Sequence, residues 1–222
     1  MIPWTVIDTA EMPGGGALRL LQHGRDFAIK LDRHELMNSR LHGSEEALAT
    51  LACARIAERR HPRILIGGLG MGFTLRAALD ALGASAQVVV AELVPAVVDW
   101  NRGPLAHLSG HSLDDARVAV RAADVGSVIR AEASAYDAIL LDVDNGPDAF
   151  TAPSNAKLYG LKGLIACRRA LAPAGALGVW SVEDDKRFTD RMRGAGFEVD
   201  KQRVPARPNS SVKHVIWIGL RR

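Results

Sequence analysis

The chain has 222 residues, and its 28 lysine and arginine residues against 25 aspartate and glutamate residues leave a formal net charge of +3. With 48% hydrophobic and 24% charged residues, the composition is typical of a globular protein and excludes disordered, collagen-like and disulfide-rich classes. No apolar run approaches the roughly 18 residues of a membrane span, and so small a positive surplus is weak support for nucleic acid as a partner.

Two features of the sequence bear on location. The N-terminus, Met1 to Trp4, has no basic segment followed by an apolar one, so a secretory signal is not indicated. Cys53 and Cys167 are isolated thiols within helix-like stretches, and we expect two small buried side chains rather than a disulfide. We therefore predict a cytoplasmic protein.

The first 43 residues differ in pattern from the rest. Short alternating segments at Trp4 to Ile7, Leu18 to Gln22 and Phe27 to Leu31 are separated by glycine-containing turns. Alternation bounded by such turns predicts β-hairpins. This small N-terminal region, 1–43, is too small to be stable alone, so we expect it to pack on a second region, 44–222.

The second region predicts an α/β domain. Ser44, followed by Glu45 and Glu46, indicates a capped helix start, and this helix is expected to end near His61-Pro62. Short apolar strands then alternate with helices, which predicts a parallel sheet covered on both faces. The predicted strands are Arg63 to Gly67, Gln87 to Glu92, Arg117 to Val120, Asp137 to Asp142 and Ala176 to Ser181, and the clearest helices are Thr74 to Leu82, Asn155 to Leu171 and Asp184 to Ala195.

The end of the chain breaks this alternation. Strands at Phe197 to Val204 and His214 to Leu220 are joined by a loop with no room for a crossover helix, so the pair must be antiparallel. The whole pattern predicts a Rossmann-like three-layer sandwich. It has a seven-stranded, mostly parallel sheet with a C-terminal antiparallel hairpin, preceded by the N-terminal β-hairpin region.

A glycine-rich loop, Gly67-Gly68-Leu69-Gly70-Met71-Gly72, joins the first strand of this domain to a helix. A phosphate-binding loop needs a lysine where this chain has Phe73, and the dinucleotide pattern needs a third glycine at the same position. Both interpretations are therefore disfavoured. An NAD-dependent oxidoreductase, which the dinucleotide pattern would imply, is disfavoured as well. The remaining G-x-G-x-G spacing is better known from folds that bind S-adenosylmethionine, and its alternative is a tight turn required only for packing.

Acidic residues lie at or just after the ends of the next three strands. Glu92 lies 20 residues after Gly72, where a carboxylate can accept hydrogen bonds from ribose hydroxyls. Asp124 is placed to meet an adenine amino group, to cap the helix beginning near Val125, or both. Asp142 is either a partly desolvated proton acceptor with a raised pKa or a strand-end turn residue. All lie at the carboxyl ends of the strands, which is the edge where open α/β sheets bind ligands.

Together these residues resemble the spermidine synthase-like (polyamine aminopropyltransferase) family, within the class I S-adenosylmethionine-dependent methyltransferase superfamily. The resemblance covers most of the chain. It rests on the N-terminal β region, the Ser-Glu-Glu-Ala-Leu helix start at 44–48, the loop at 67–72, Glu92, Asp124, the strand Tyr136 to Asp142 with Gly146-Pro147, Lys157-Leu158-Tyr159, and Pro173-Ala174-Gly175.

The resemblance implies a role for each matched residue. The nucleoside, S-adenosylmethionine or its decarboxylated form, would be bound by Gly67, Gly68, Gly70, Gly72, Glu92 and Asp124. Asp142 would help to deprotonate an attacking amine, with Asp144 as the second acid. Glu46 and Tyr159 would lie on the substrate side. From its position at the end of the fifth strand, Trp180 is either a core residue or a wall of the substrate cleft.

Three positions depart from the family pattern. Gly70 stands where the family loop has an aspartate, Asp144-Asn145 alters the family's Asp-x-x-Asp-Pro motif, and Ser44 replaces a substrate-side tyrosine. A polyamine needs anionic or aromatic partners for its several positive charges. The departures therefore weigh against spermidine synthesis itself more than against binding of an adenosyl nucleoside.

We predict a transferase that moves a group from S-adenosylmethionine, or its decarboxylated form, to a small amine-type acceptor. The alternatives are a methyltransferase acting on a small molecule or RNA, and a non-catalytic nucleoside-binding protein. No metal is expected, because Ser109-Gly110 interrupts the helical spacing of His107 and His111. Nucleic acid and membranes are not expected as partners, and a homodimer is left open.

Overall fold

The structure is a computed structural model, and it describes residues 3–13, 15–143 and 157–222. An antiparallel sheet of four strands precedes a larger sheet of seven strands. The predicted fold class, a mostly parallel seven-stranded sheet with a C-terminal antiparallel hairpin and a small N-terminal β region, is confirmed.

The N-terminal sheet has the order β1-β2-β3-β4. Its strands are β1 (Thr5–Glu11), β2 (Ala17–His23), β3 (Asp26–Leu31) and β4 (His34–Asn38). Strand β4 was not predicted, because its five residues are too few to show a clear alternation. The turn before it also lacks a glycine: Asp32 takes the left-handed conformation there, with φ 51°.

The larger sheet has the order β10-β11-β9-β8-β5-β6-β7. Its strands are β5 (Arg63–Gly67), β6 (Gln87–Glu92), β7 (Val118–Ala122), β8 (Tyr136–Leu141), β9 (Leu171–Ser181), β10 (Phe197–Pro205) and β11 (Lys213–Arg221). Strands β5 to β9 pair in parallel, and β11 runs antiparallel to both β9 and β10. Sequence order reverses on either side of β5, so the crevice beside this strand is the expected ligand position.

The helices are α1 (Gly43–Ala54), α2 (Phe73–Ala81), α3 (Pro95–Arg102), α4 (Val125–Ala131), α5 (Leu161–Ala170) and α6 (Lys186–Gly194). Three predicted boundaries were wrong. Strand β9 begins at Leu171 rather than at Ala176, because Pro173 and Gly175 gave this segment the pattern of a loop. Helix α1 ends at Ala54 rather than near His61, since no glycine or proline marks its end in the sequence. One helix was predicted from Asn155 to Leu171. Residues 157–159 are helical, Gly160 interrupts the helix, and α5 then runs from Leu161 to Ala170. Asn155 lies outside the described residues.

The two faces of the large sheet carry separate hydrophobic clusters. One contains side chains of α1, α2 and α3 together with the N-terminal sheet, including Leu20 and Ile29. The other contains side chains of α4, α5 and α6. Cys53 belongs to the first cluster and Cys167 to the second, and burial raises the pKa of each thiol to about 12. The N-terminal sheet thus shares a core with the α/β region, and the division at residue 43 stays a prediction.

Candidate functional site

A cavity lies at the carboxyl ends of β5 to β8, beneath the N-terminal sheet. Its polar lining comes from Gly68, Gly70, Glu45, Glu92, Asp124 and Asp142, and its apolar lining includes Leu18, Ile29, Met37, Val94, Val125 and Trp180. The structure therefore brings together the loop and all three predicted strand-end acids. A concave, mostly apolar pocket with a few convergent polar groups is the usual form of a small-molecule site.

The glycine loop is held close to the end of β8. Gly68 has a φ of +85°, and a Cβ atom there would collide with the backbone carbonyl oxygen of Asp142. Gly70 has a φ of +53°, and a Cβ atom there would lie 2.8 Å from Met37 Sδ. Gly67 and Gly72 are outside the cavity lining and pack against Val125 and Ser109. Of the four predicted glycines, only Gly68 and Gly70 thus face the cavity among the residues that the structure describes.

Glu92 is held by two backbone amides, one within the glycine loop and one just after β6. Its Oε2 accepts a hydrogen bond of 2.9 Å from the amide of Leu69, and its Oε1 accepts one of 2.8 Å from the amide of Val94. The side chain is 7% exposed and lines the cavity. A carboxylate oriented by two amides is a preorganised acceptor for a hydroxyl-bearing ligand.

Asp124 is the N-cap of α4 and also lines the cavity. Its Oδ1 accepts hydrogen bonds of 2.7 Å from the Ser127 amide and 2.9 Å from the Ser127 hydroxyl. Both functions considered for this residue are therefore compatible: the cap uses Oδ1, and the side chain borders the cavity beside Val125.

Asp142 lies beside the first turn of α2. The hydroxyl of Thr74 donates a hydrogen bond of 2.5 Å to Asp142 Oδ2. Burial raises the pKa of Asp142 to about 6, and the Thr74 hydrogen bond partly opposes this rise because it favours the ionised form. At neutral pH this aspartate is a carboxylate whose proton affinity is well above that of an exposed one, as a general base requires.

A second buried carboxyl group, Glu45, lines the same cavity as Asp142. Glu45 is 5% exposed, and its pKa is raised to about 8, first by burial and then by the negative charge of Asp142. This residue was not selected from the sequence. The signal was present, since Glu45 precedes Leu48 by three residues and Ala49 by four, on the face that α1 buries.

The neighbouring Glu46, predicted on the substrate side, lies elsewhere. Its Oε1 accepts a hydrogen bond of 2.8 Å from His42 Nδ1, its side chain is 47% exposed, and it is not part of the cavity lining. Helix geometry explains the difference, because consecutive residues point about 100° apart around the axis. The structure places Glu45, rather than Glu46, at the cavity.

The two predicted aromatic residues have different positions. Trp180 is 6% exposed and lines the cavity, and its indole N–H donates to Ser44 Oγ at 2.9 Å. Tyr159 is 1% exposed and packs edge-to-face on Phe188 in the second hydrophobic cluster, outside the cavity lining. The predicted second acid, Asp144, lies outside the described residues.

Two further observations concern the described part of the chain. No helix in it is long and apolar enough to cross a bilayer. Within the same residues, no group of three or more histidine, cysteine, aspartate or glutamate side chains is arranged to hold a metal ion.

Comparison with known proteins extends this picture. No protein-family model matches the chain. Over 123 residues it is 39% identical to polyamine aminopropyltransferase 1 of Streptomyces coelicolor, a match covering 54% of this chain and 22% of the relative. Over 150 residues it is 31% identical to polyamine aminopropyltransferase of Mycobacterium tuberculosis, covering 64% and 28% respectively. These matches thus span about a quarter of the length of the relatives.

Solved structures agree with the sequence comparison. Spermidine synthase from Thermotoga maritima superposes with a TM-score of 0.77 and 20% identity, covering 98% of this chain and 73% of that one. A spermidine synthase in complex with the transition state analogue AdoDATO gives a TM-score of 0.76 at 19% identity, covering 98% and 72%. The predicted resemblance to the spermidine synthase-like family is confirmed, in sequence by the curated relatives and in fold by these structures.

Proposed function

We propose that the chain is a transferase that binds S-adenosylmethionine or its decarboxylated form and transfers a group from it to an amine-type acceptor. The observation that carries this proposal is the convergence of Glu92, Asp124 and Asp142 on one cavity beside Gly68 and Gly70. The curated relatives are named polyamine aminopropyltransferases, which supports aminopropyl transfer as the reaction.

The residues present fit an adenosyl nucleoside. The missing side chain of Gly68 lets the loop approach the backbone of Asp142 closely, and Glu92 presents an oriented carboxylate to a ribose. Val94 and Val125 offer an apolar surface to a purine ring near Asp124. When bound, the nucleoside supplies an electrophilic carbon attached to a positively charged sulfur.

The chain's contribution to catalysis is then positioning and proton transfer. Holding two reactants in line contributes much of the rate of such a reaction. An amine acceptor is protonated at neutral pH and must lose a proton before its lone pair can attack. Asp142 is the residue that would take this proton, because its carboxylate lies at the cavity and burial has raised its pKa to about 6.

Isothermal titration calorimetry with S-adenosylmethionine, its decarboxylated form and methylthioadenosine tests this proposal. We expect at least one of the three to bind, and transfer to an amine to be detected with the corresponding sulfonium donor. Failure of all three to bind would reject the proposed function. Binding without turnover on a broad amine panel would instead favour a non-catalytic nucleoside-binding protein.

One observation favours a second candidate, an S-adenosylmethionine-dependent methyltransferase acting on a small molecule or RNA. Gly70 replaces the aspartate of the family loop, and Met37 occupies the space beside it. The donor's amino-acid end would therefore meet no extra negative charge at this position, which removes an electrostatic obstacle to a donor that keeps its own carboxylate. Steeply salt-dependent RNA binding would support the RNA methyltransferase.

The homodimer and the cytoplasmic location stay predictions.

A further inference from the structure

We propose that Glu45 is the second carboxylate of the acceptor site, where it binds the cationic amine together with Asp142, and that Ser44 and His214 position it and carry its proton away. This inference rests on the proposed function, because it assigns the amine-binding end of the same cavity. The residues involved come from the start of α1, the end of β8 and the start of β11, which are far apart in the sequence.

The first step is the placement of the two acids. Glu45 and Asp142 both line the cavity and interact electrostatically, and Thr74 contacts both residues. The Thr74 hydroxyl donates to Asp142 Oδ2 at 2.5 Å and lies 3.4 Å from the backbone carbonyl oxygen of Glu45. Two carboxyl groups that line the same cavity and interact electrostatically form an anionic subsite suited to an ammonium group.

The second step is the hydrogen-bond network behind Glu45. Ser44 is fully buried, and its Oγ lies 2.5 Å from Glu45 Oε2, 2.8 Å from His214 Nδ1 and 2.9 Å from Trp180 Nε1. The Trp180 indole can only donate, so it occupies one lone pair of the hydroxyl. One proton and one lone pair remain on Ser44 for its contacts with Glu45 and His214.

With one proton and one lone pair left on Ser44, the hydrogen-bond network has two arrangements. In the first, ionised Glu45 accepts from the Ser44 hydroxyl while His214 Nδ1–H donates to Ser44. In the second, protonated Glu45 donates to Ser44, which donates to His214 Nδ1. Moving from the second to the first transfers one proton from Glu45 through Ser44 to His214, with no change elsewhere. His214 is partly exposed, so the resulting imidazolium can release a proton to solvent.

The third step is the response to a cation. Without ligand, burial and the charge of Asp142 keep Glu45 protonated at neutral pH, and the charge of Glu46 acts in the same direction. Burial also lowers the pKa of His214, which keeps that imidazole neutral and able to accept a proton. A bound ammonium favours the ionised form of Glu45. Binding of an amine at pH 7 is therefore expected to release a proton.

The test is calorimetric titration of butane-1,4-diamine and of butylamine, into the full chain alone and into the chain saturated with methylthioadenosine. Repeating each titration at pH 7 in phosphate and in Tris, which differ in ionisation enthalpy, gives the number of protons released. We expect release of up to about one proton from the wild type, since only Glu45 changes its protonation state. Glu45→Gln should abolish the release and weaken amine binding ~10-fold or more, the loss expected for a hydrogen bond to a charged group.

Ser44→Ala and Glu58→Gln complete the design. Ser44→Ala keeps the carboxyl group but removes the donor that favours its ionised form, so the pH midpoint of proton release should move upward, a change that a purely structural defect would not produce. Glu58 is exposed beyond the end of α1, and Glu58→Gln should leave affinity and proton release unchanged. Circular dichroism confirms the folding of each variant.

The outcomes separate the inference from the proposed function. If methylthioadenosine and both sulfonium nucleosides fail to bind, the proposed function fails, and the titration of amine into the chain alone still decides the role of Glu45. If the nucleoside binds but neither amine does, or if amines bind to Glu45→Gln with wild-type affinity and proton release, the assignment of Glu45 is overturned.

Discussion

The hydroxyl of Thr74 donates a hydrogen bond of 2.5 Å to Asp142, so a residue in the first turn of α2 lowers the proton affinity of the buried acid that follows β8. The glycine loop is adjacent to both residues, since Gly68 approaches the backbone of Asp142 and α2 begins directly after Gly72. We therefore expect the proposed nucleoside binding at the loop and the proposed proton transfer at Asp142 to be coupled.

Loss of this hydrogen bond should shift the pH dependence of transfer. In Thr74→Val the ionised form of Asp142 loses a donor, so its pKa rises above about 6 and the acid limb of the pH–rate profile moves upward. A hydrogen bond to a charged group contributes about 1.5–3 kcal/mol, which corresponds to roughly one to two pH units. The matched control is Thr50→Val, whose hydroxyl donates to a backbone carbonyl on the exposed side of α1. An unchanged profile in Thr74→Val would contradict the assigned coupling.

Removal of the Asp142 charge should separate turnover from nucleoside binding. Asp142→Asn cannot accept a proton, and a general base contributes typically about 10²–10⁴-fold to the rate. We expect kcat to fall by at least about 100-fold while the Kd for methylthioadenosine changes little. Asp190→Asn, at an exposed position of α6, provides the comparison. Wild-type turnover in Asp142→Asn would remove this residue from the mechanism.

Two substitutions distinguish the cap at Asp124 from its role in binding. Asparagine and aspartate are about equally good N-caps, whereas alanine costs ~1 kcal/mol. Asp124→Asn should therefore keep the wild-type stability to within about 0.5 kcal/mol and Asp124→Ala should not, as measured by urea denaturation. If the carboxylate contacts the nucleoside, both variants lose affinity in calorimetry. Wild-type affinity in Asp124→Asn would leave Asp124 as a cap alone.

A side chain at Gly68 should disrupt both the loop and the base. Its φ of +85° disfavours alanine, and the new Cβ atom would collide with the backbone of Asp142, which cannot rotate away. We expect Gly68→Ala to lower the free energy of unfolding by at least about 2 kcal/mol and to abolish nucleoside binding. Gly83→Ala is the control, because a Cβ atom there meets nothing within 4 Å. Equal stability of the two variants would show that the loop adapts.

Glu45 should make the protein less stable as the pH rises. Its pKa in the folded state, about 8, lies above the ordinary value of 4.5, so the folded state binds more protons than the unfolded state between these values. The free energy of unfolding then decreases as pH increases from about 4.5 to 8. Glu45→Gln removes this contribution and should exceed the wild type in stability at pH 8 by more than about 1 kcal/mol, measured by denaturant titration. A wild-type pH slope in Glu45→Gln would refute the burial of a protonated carboxyl group.

Much of the site was predictable because it follows from local pattern and topology. Apolar strands alternating with helices predict a parallel sheet, and the carboxyl ends of its strands meet at one edge. Glu92 ends such a strand and Asp124 and Asp142 come shortly after one, so their convergence needed no knowledge of side-chain packing. The reversed strand β11 was likewise predictable from the short connection before it.

Only the tertiary structure decided which side chains outside the strand ends face the cavity. Glu45 and Glu46 are adjacent in sequence, and the packing of α1 against β9 and α2 directs one into the cavity and leaves the other beside His42. Ser44 and His214 are separated by 170 residues and meet because α1 also packs against β11.

The composition gives a net charge of only +3. The departures from the family pattern predicted, in addition, few acidic side chains for a cationic substrate. Burial changes that interpretation, since Glu45 and Asp142 concentrate acidic groups within one cavity. The sequence by itself thus determined the sheet and the edge at which we propose that a nucleoside binds, because these depend on local periodicity and chain direction. The structure around Glu45, the end of the cavity that we propose for the amine, depends on contacts between distant segments, which local pattern does not encode.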